Sequence, residues 1–463
     1  MYKVDFNQPG RAYFMGIGGV SMSGLAEILV GEGFTVSGSD SNHSAVCDHL
    51  EELGVKINYS QVAENISGDI DFIVYTAAIH PDNGEYVAAQ ELGIPMLSRA
   101  QFLGQIMENY KYTIAVAGTH GKTTTTSMMA YTLLEAETDP TISIGGNLKV
   151  IDGNIKVGSS DYFVTEACEY TNSYHEFKPL ISIILNIDND HMDFFKTMDN
   201  VVKSFAKFAS LTREGGAVIV NGDSPYIDSI KEAVADKNLT LITFGEGEDN
   251  DYRAVNVVLN DAGHPSYELY VKGVDSGDIT LSVSGVHNAV NSLSVLAVAD
   301  FLGLPRTACV EGLRKCSSAD RRFQYKGTLA GDKVIIDDYA HHPTEIAATL
   351  KLAKAIKKAD LWVAFQPHTY SRTLAHLDAF AEVLSVADHV LLADIYAARE
   401  KDDGSVSSKD IEERLIARGC DAHYLGDFES IKNYFEKNSM SSDMLITMGA
   451  GNIDNVGTML LQG

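Results

Sequence analysis

The residues best suited to chemistry in this sequence lie in AGTHGKTTTT, from Ala117 to Thr126. The apolar run Tyr112 to Ala117 predicts a strand before the glycines, and the residues after them predict a helix. A glycine loop at that junction leaves backbone N–H groups free to face phosphate oxygens, and the helix adds the positive end of its dipole. Lys122 would then reach the terminal phosphates while the hydroxyl of Thr123 binds Mg²⁺. We therefore predict a nucleoside triphosphate site rather than an ordinary strand-to-helix turn.

A second glycine-rich loop lies near the N-terminus, where GIGGVSMSG, residues 16–24, follows the predicted strand Ala12 to Met15. The loop is similar to a dinucleotide-binding fingerprint, except that Ser21 occupies the third glycine position. Asp40 stands at the end of the next predicted strand, where such sites place the acid that binds ribose. From this pattern alone NAD, another nucleotide and a tight strand-to-helix turn are equally open.

Two acidic clusters follow predicted strands of the same section as the phosphate loop. Glu166 stands just after the strand Tyr162 to Thr165, and His191 lies within DNDHMD, residues 188–193, after the strand Ile181 to Ile187. Ligand chemistry concentrates at the carboxyl edge of a parallel sheet, where such groups can hold Mg²⁺ beside phosphate oxygens. The alternative is helix capping by the aspartates, which leaves the histidine unexplained.

Four further segments carry polar side chains near predicted strand or helix ends. Asn288 precedes an apolar helix, and contact with a base edge or helix capping would explain it equally well. Arg321 could neutralise phosphate, although a solvated pair with Arg322 is the simpler interpretation. The segments DDYAHHPTE, residues 337–345, and QPHTYSRT, residues 366–373, follow successive strands, so we expect them to share a cleft. Capping would account for Asp338 and Thr344, but not for His341, His342, His368 and Arg372 together.

The composition limits the class of protein. A chain of 463 residues with 45% hydrophobic residues predicts about three domains with packed cores. Its 36 Lys and Arg against 63 Asp and Glu give a net charge of -27, which opposes binding to nucleic acid or anionic lipid. Five scattered cysteines without a CxxC pair suit a reducing compartment, and no signal peptide or membrane-length apolar run is evident. We therefore expect a soluble, cytoplasmic protein without a nucleic-acid partner or membrane insertion.

Strand-like and helix-like segments alternate along the chain, which predicts an α/β protein built on parallel sheets. We place a Rossmann-like domain at residues 1–108, a central domain with a P-loop-type parallel sheet at 109–321, and a second Rossmann-like domain at 322–463. The polar region 245–277 predicts a small antiparallel excursion in the central domain. The strands predicted in the third domain are Val334 to Asp337, Leu361 to Phe365, Val390 to Ala393 and Met444 to Thr447.

Six motifs occur in this order along the chain: GTHGKTTTT, TEACEY, NIDNDH, GVHN, DDYAHHPTE and FQPHTYSRT. Together they resemble the Mur ligase family of peptidoglycan synthesis, over a span from Gly16 to the GAGN segment at Gly449. The resemblance implies an ATP- and Mg²⁺-dependent ligase that joins L-alanine to the carboxylate of UDP-N-acetylmuramate through an acyl phosphate. It also implies that the first domain binds the UDP part of that substrate.

The resemblance assigns roles residue by residue. The implied ATP-binding residues are Gly118, Thr119, His120, Gly121, Lys122, Thr123, Thr124, Asn288, Arg321 and Asp338. The implied substrate-binding residues are Gly18, Gly19, Val20, Ser21, Asp40, Arg99, Tyr339, His342 and Arg372. Mg²⁺ would be held near Thr123, Glu166 and His191. The implied catalytic residues are Lys122, Glu166, His191 and His342.

The chain departs from the family pattern at four positions. Ser21 replaces a glycine found in many members, and Cys168 and Tyr170 replace residues that are often Asp and Ser. Thr369 stands where other members have Arg, so a carboxylate contact is not expected there. These departures leave the implied reaction class intact.

Three alternatives to this function remain. A related recycling ligase attaches a tripeptide to UDP-N-acetylmuramate, a nucleotide-binding regulator would keep the loop without turnover, and an NAD-dependent dehydrogenase would rest on the first loop alone. Because an acyl phosphate hydrolyses in water, we expect the third domain to close over the active site before the reaction. The expected partners are UDP-N-acetylmuramate and L-alanine, and the expected assembly is a monomer or weak homodimer.

Overall fold

The computed structural model describes residues 2–317, 319–398 and 400–462. Met1 and Gly463, the ends of the first and third predicted domains, lie outside these ranges. The chain forms two compact units. The first comprises the residues up to Arg253 with Tyr270–Val274 and Asn291–Leu313, and the second comprises Ala254–Leu269, Asp275–Val290 and the residues from Arg314 onward. Within the described ranges, every helix is too short or too polar to cross a membrane.

The N-terminal segment folds around a five-stranded parallel sheet. Its elements are β1 (Arg11–Met15), α1 (Val20–Gly31), β2 (Thr35–Ser39), α2 (Ala45–Glu52), β3 (Lys56–Asn58), β4 (Phe72–Tyr75), α3 (Gly84–Glu91), β5 (Met96–Ser98) and α4 (Arg99–Glu108). The strand order is β3-β2-β1-β4-β5. Since β2 and β4 pair with opposite edges of β1, the loop after β1 lies where the strand order reverses, which is the usual ligand position in such sheets.

The central segment of the first unit carries a second, larger sheet. Its elements are β6 (Tyr112–Ala117), α5 (Lys122–Glu135), β7 (Thr141–Leu148), β8 (Gly153–Lys156), β9 (Tyr162–Ala167), β10 (Ile181–Ile184), α6 (Met192–Phe195), α7 (Met198–Ser210), β11 (Ala217–Asn221), α8 (Ile227–Val234) and β12 (Thr240–Gly245). Across this part of the sheet the order is β12-β11-β10-β6-β9-β7-β8, and β8 alone of these strands runs antiparallel to its neighbour. β6 therefore lies between β9 and β10, so polar residues after all three strands gather at one edge.

One predicted boundary in the central sheet is wrong. The strand predicted from Ile181 to Ile187 ends at Ile184. The chain turns because the side chain of Asn186 pairs with the backbone of His120, whose N–H donates to Oδ1 at 2.8 Å and whose carbonyl accepts from Nδ2 at 3.0 Å. Apolar residues continue beyond Ile184, but the contact between Asn186 and His120 decides where the strand ends.

A meander follows, and it confirms the predicted antiparallel excursion. Its strands are β13 (Tyr252–Leu259), β14 (Pro265–Val271) and β15 (Val274–Thr280), and the helices α9 (Val286–Leu302) and α10 (Arg306–Lys315) come after them. The strands are neighbours in sequence order, with connections too short for a parallel crossover. Asn256 donates to Glu268 at 2.9 Å across the first pair. The Ser266 and Thr280 hydroxyls lie 2.9 Å apart across the second.

The C-terminal segment of the second unit has a six-stranded sheet. Its elements are β16 (Gln324–Leu329), β17 (Lys333–Asp338), α11 (Pro343–Ile356), β18 (Leu361–Phe365), α12 (Tyr370–Ala375), α13 (Leu377–Leu384), β19 (His389–Ala393), α14 (Ser408–Ala417), β20 (Asp421–Gly426), α15 (Phe428–Asn438), β21 (Met444–Met448) and α16 (Asp454–Gln462). The order is β16-β17-β21-β18-β19-β20, parallel except for β16. The four predicted strands are confirmed as β17, β18, β19 and β21, while the edge strands β16 and β20 were not predicted.

Candidate active site

The loop between β6 and α5 has the conformation that its glycines predict. Gly118 has φ of 151° and Gly121 has φ of 83°, a region that favours glycine. A Cβ on Gly118 would lie 2.9 Å from Cβ of Leu185, and one on Gly121 would lie 2.8 Å from Nδ2 of Asn291. α5 begins directly after the loop at Lys122, earlier than predicted. Its N-terminal amides and the positive end of its dipole therefore lie at the loop.

The loop is fastened to the segment after β10. The amide of Asp188 donates to the hydroxyl of Thr119 at 2.9 Å, and a ring nitrogen of His120 lies 3.1 Å from the Asp188 carboxylate. Thr123 and Thr124 follow in the first turn of α5 and are largely buried. These contacts fix the conformation of the loop, and a phosphate site needs donors that are preorganised in this way.

Lys122 is held by its own loop and by a carboxylate that the sequence interpretation missed. Its ammonium donates to the carbonyls of Gly118 at 2.5 Å and Thr119 at 3.1 Å. It also donates to both oxygens of Glu169, at 2.9 and 3.1 Å. Burial is the largest influence on the pKa of Lys122 and acts to lower it, but the neighbouring groups, Glu169 foremost and Glu166 among them, together outweigh burial and the pKa is raised. The lysine is therefore a fixed positive charge at neutral pH.

The other predicted metal-binding residues lie on the neighbouring strand and turn. Glu166 falls inside β9, one residue beyond the predicted strand end, and its Oε1 accepts from the amide of Gly145 at 2.7 Å. His191 has a left-handed backbone with φ of 55° and packs against the Tyr170 ring at 4.6 Å between centroids. Its Nε2 lies 3.8 Å from Glu169.

The donor chemistry of this region fits a hard cation. The Thr123 hydroxyl and the Glu166 carboxylate offer the oxygen ligands that Mg²⁺ prefers, and phosphate oxygens would complete the set. Gly145 leaves room beside Glu166, since a Cβ there would lie 3.0 Å from each carboxylate oxygen. Nε2 of His191 lies 3.8 Å from Glu169 and 3.7 Å from Asp190. Because Mg²⁺ prefers oxygen ligands, this nitrogen is the least typical member of the predicted set.

The N-terminal glycine loop is supported by the acid predicted to contact ribose. Asp40 accepts from the amide of Gly18 at 2.9 Å, so in this structure its carboxylate holds the loop. Gly19 is the N-cap of α1, which begins at the exposed Val20. Arg99, at the start of α4, donates to the Ser21 hydroxyl at 3.1 Å. The fold thus brings together all six residues predicted here, from three places in the chain: the loop 18–21, Asp40 and Arg99.

In the second unit, the side chains of Asp338 and Arg321 both form hydrogen bonds within that unit. Asp338 accepts from the amides of Ala340 at 2.7 Å and Phe323 at 2.8 Å, and burial raises its pKa to about 6. Arg321 donates to the Asp337 carboxylate at 2.9 Å and to two carbonyls of the loop after β21, those of Gly449 at 2.7 Å and Gly451 at 2.6 Å. In this structure the guanidinium holds the loop after β21.

The histidine-rich segments after β17 and β18 meet, as their positions at successive strand ends predict. The rings of His341 and His368 lie 5.7 Å apart. Burial lowers the pKa of His368 to about 4, with further lowering from His341 and Arg372, so this ring is neutral at pH 7. Arg372 lies 3.2 Å from Nδ1 of His368. The ring of Tyr339 packs near the Arg321 guanidinium, at 5.2 Å.

His342 and Asn288 both lie at helix starts. His342 is the N-cap of α11, where its Nδ1 accepts from the amide of Thr344 at 3.3 Å and Glu345 completes a capping box. Asn288 lies inside the first turn of α9, and its Nδ2 donates to the carbonyl of Ser284 at 2.7 Å. Asn288 is therefore not a helix cap. The N-cap of α11 is His342, which capping was not expected to explain, and not Asp338 or Thr344.

Two residues near the phosphate loop were missed from the sequence. Glu169 lies in TEACEY, but spacing alone did not separate it from a solvated carboxylate. Asn291 is one helical turn after Asn288, and that spacing on one helix face was a usable signal.

Comparisons with known proteins match the whole length of the chain. Family models described as Mur ligase family, catalytic domain, Mur ligase middle domain, and Mur ligase, glutamate ligase domain match residues 11–111, 116–299 and 321–451. A UDP-N-acetylmuramate--L-alanine ligase of Agathobacter rectalis is 53% identical over 100% of both chains, and one of Caldanaerobacter subterraneus is 46% identical over 99% of both.

Solved structures show the same fold. A UDP-N-acetylmuramate-alanine ligase of Thermotoga maritima is similar with a TM-score of 0.79 and 26% identity, covering 98% of both chains. A murein peptide ligase of Psychrobacter arcticus has a TM-score of 0.68 and 24% identity at the same coverage.

Proposed function

The chain belongs to the Mur ligase family, and from this premise we propose that it joins L-alanine to the carboxylate of UDP-N-acetylmuramate with consumption of ATP, in peptidoglycan precursor synthesis. The observation that carries this conclusion is 53% identity, over the full length of both chains, to a ligase named for those two substrates. The recycling ligase is the weaker alternative, because the relatives of 53% and 46% identity are both named as L-alanine ligases. The TM-score of the murein peptide ligase is also lower than that of the solved alanine ligase, 0.68 against 0.79. The NAD interpretation of the first loop loses its support, since that loop lies in the segment matched by the family's catalytic-domain model.

The chemistry follows from the poor reactivity of a carboxylate. An amine does not displace oxide from a carboxylate, so the muramate carboxylate first attacks the γ-phosphate of ATP, displaces ADP and becomes an acyl phosphate. The neutral amine of L-alanine then attacks the acyl carbon, and phosphate leaves as the amide forms. Lys122 and the N-terminus of α5 stabilise the charge that moves across the γ-phosphate. Mg²⁺, held near Thr123, Glu166 and His191, would supply further charge neutralisation at the phosphate oxygens.

The remaining assignments are part of the same proposal. The residues that bind the UDP part of the substrate are Gly18, Gly19, Val20, Ser21, Asp40 and Arg99. The hydrogen bonds from Gly18 to Asp40 and from Arg99 to Ser21 support this grouping. Residues 1–108, 109–321 and 322–463 serve as substrate, ATP and closing domains. The protein works in the cytoplasm as a monomer or weak homodimer.

Residues of the second unit serve the nucleotide and both substrates. Asn288, Arg321 and Asp338 act on ATP, and Tyr339, His342 and Arg372 act at the muramoyl and alanine ends. The bond from the Thr344 amide to Nδ1 of His342 favours the tautomer that carries its proton on Nε2.

The function is tested by phosphate release from purified protein with ATP, Mg²⁺ and UDP-N-acetylmuramate. L-alanine should stimulate release, and glycine, L-serine and the tripeptide serve as competitors. Release that depends on tripeptide and not on L-alanine would transfer the chain to the recycling ligases. If no amine stimulates phosphate release, the chain is better explained as a nucleotide-binding regulator without turnover. Omission of Mg²⁺ in the presence of EDTA should abolish the reaction.

A further inference from the structure

Glu169 is a buried carboxylate with one dominant partner. It precedes the 3-10 segment Tyr170–Glu176, and only 2% of it is exposed. Both of its oxygens accept from the ammonium of Lys122, at 2.9 and 3.1 Å. A buried carboxylate needs a cation or several donors to offset its lost hydration. Glu169 therefore depends on the same ammonium that phosphate would require.

The hydrogen bonds of Lys122 are fully used in this structure. An ammonium has three N–H donors, and they are distributed over the Gly118 carbonyl, the Thr119 carbonyl and Glu169. The two carbonyls belong to the backbone of a loop that Asn186 and Asp188 fasten in place. Glu169 is the one anionic side chain among these partners. A phosphate that reaches Lys122 must therefore replace Glu169 first, because that exchange preserves the charge balance of the ammonium.

We propose that Glu169 is a positioning residue that occupies, on Lys122, the place of the terminal phosphate oxygens of ATP, and that nucleotide binding displaces it. The inference rests on the proposed function in one respect, that ATP is the ligand of this loop. His191 is the adjacent group toward which the displaced carboxylate can turn, since its Nε2 already lies 3.8 Å away. In this structure Glu169 holds the ammonium of Lys122 in position. When the ligand lacks β- and γ-phosphates, the Glu169 carboxylate stays hydrogen-bonded to the Lys122 ammonium.

The test is the affinity of Glu169→Gln for two nucleotides, measured by isothermal titration calorimetry. The probes are the non-hydrolysable analogue AMP-PNP and AMP. The neutral amide of Gln competes less well for Lys122, so AMP-PNP should bind to Glu169→Gln about tenfold more tightly than to the wild type. The affinity for AMP should be the same in both proteins. The gain should persist in EDTA, because it concerns the ammonium and not a metal ion. The matched control is Glu176→Gln, which removes an exposed charge at the end of the same segment and should alter no affinity.

Each outcome decides a different statement. If the wild type fails to bind AMP-PNP, the proposed function itself is wrong. If the wild type binds and Glu169→Gln binds AMP-PNP equally or more weakly, the displacement proposal is overturned. Equal tightening for AMP, or the same gain in Glu176→Gln, also overturns it, because a general change of charge would then explain the result.

A second variant covers the case in which Glu169→Gln does not fold. Glu169→Asp keeps the charge but is one methylene shorter, so its carboxylate reaches Lys122 less well. A smaller tightening for AMP-PNP, again without change for AMP, is expected. Unchanged or weaker binding of AMP-PNP by this variant counts against the proposal.

Discussion

Replacing Lys122 with methionine separates the catalytic from the structural role of the phosphate loop. Methionine keeps a long unbranched side chain and removes the charge. A cation directed at a transferring phosphoryl group contributes roughly a thousandfold or more to turnover, about 4 kcal/mol of transition-state stabilisation. We therefore expect phosphate release with L-alanine to fall by at least about a thousandfold. Binding of UDP-N-acetylmuramate should be unchanged, because its predicted loop belongs to another sheet.

The same substitution has a cost in stability that the structure allows to be estimated. Glu169 is 2% exposed and lies 2.9 Å from the ammonium. At that distance the Coulomb attraction is roughly 6 kcal/mol with an effective dielectric constant of about 20. Removing one partner of a buried pair costs about 3–5 kcal/mol, since the other charge stays buried and uncompensated. Lys122→Met should lower the free energy of unfolding of the first unit by that amount.

The double variant Lys122→Met/Glu169→Gln is the matched control. It removes the stranded carboxylate, so it should recover most of the stability lost in Lys122→Met and none of the turnover. Urea denaturation, phosphate release and calorimetric titration with UDP-N-acetylmuramate measure the three quantities. A loss of stability below about 1 kcal/mol in the single variant would contradict the buried-pair argument. Loss of UDP-N-acetylmuramate binding in the stable double variant would mean that the two nucleotide loops are assigned the wrong way round.

Two further predictions concern stability in each unit. The pKa of Asp338 is raised to about 6 by burial, so the folded state holds a proton that the unfolded state loses near pH 4. The free energy of unfolding should fall by up to about 3 kcal/mol as pH rises from about 4 to 6, and Asp338→Asn should flatten this slope in denaturation curves. Gly104→Ala places a Cβ 2.2 Å from the Glu176 carbonyl oxygen and should cost about 1–3 kcal/mol in a urea melt. Gly68→Ala, where nothing lies within 4 Å of the added Cβ, is the control, and equal stability of the two variants would refute the clash.

The sheets were the most predictable part of the fold. Strands buried on both faces are continuous apolar runs, as at β6, β18 and β21, and they alternate with helices in an α/β pattern. The edge strands β16 and β20 are half exposed and mixed in polarity, so they gave no comparable run. At Ile184 the reverse happened, since apolar residues continued beyond the last strand pair and a side-chain contact of Asn186 ended the strand.

The candidate site also contains features that the sequence predicted and features that it did not. The glycine loop and its lysine were readable because a strand, two glycines and a helix start are neighbours along the chain, and local backbone geometry depends on neighbours. Asp40 was also placed correctly at its loop, 22 residues away from Gly18. Its hydrogen bond to Gly18 supports the loop, and its contact with ribose stays a prediction.

Residue types and their order along the chain determined the family, the two nucleotide-type loops and the class of reaction, because these depend on local backbone conformation and on the chemistry of side chains close in sequence. Tertiary structure alone decided which partners those side chains have. Glu169 meets Lys122 across 47 residues, and Arg321 meets the carbonyls of Gly449 and Gly451 across 128 and 130. Such pairs are created when strands distant in sequence become neighbours in a sheet, and spacing along the chain carries no record of that packing.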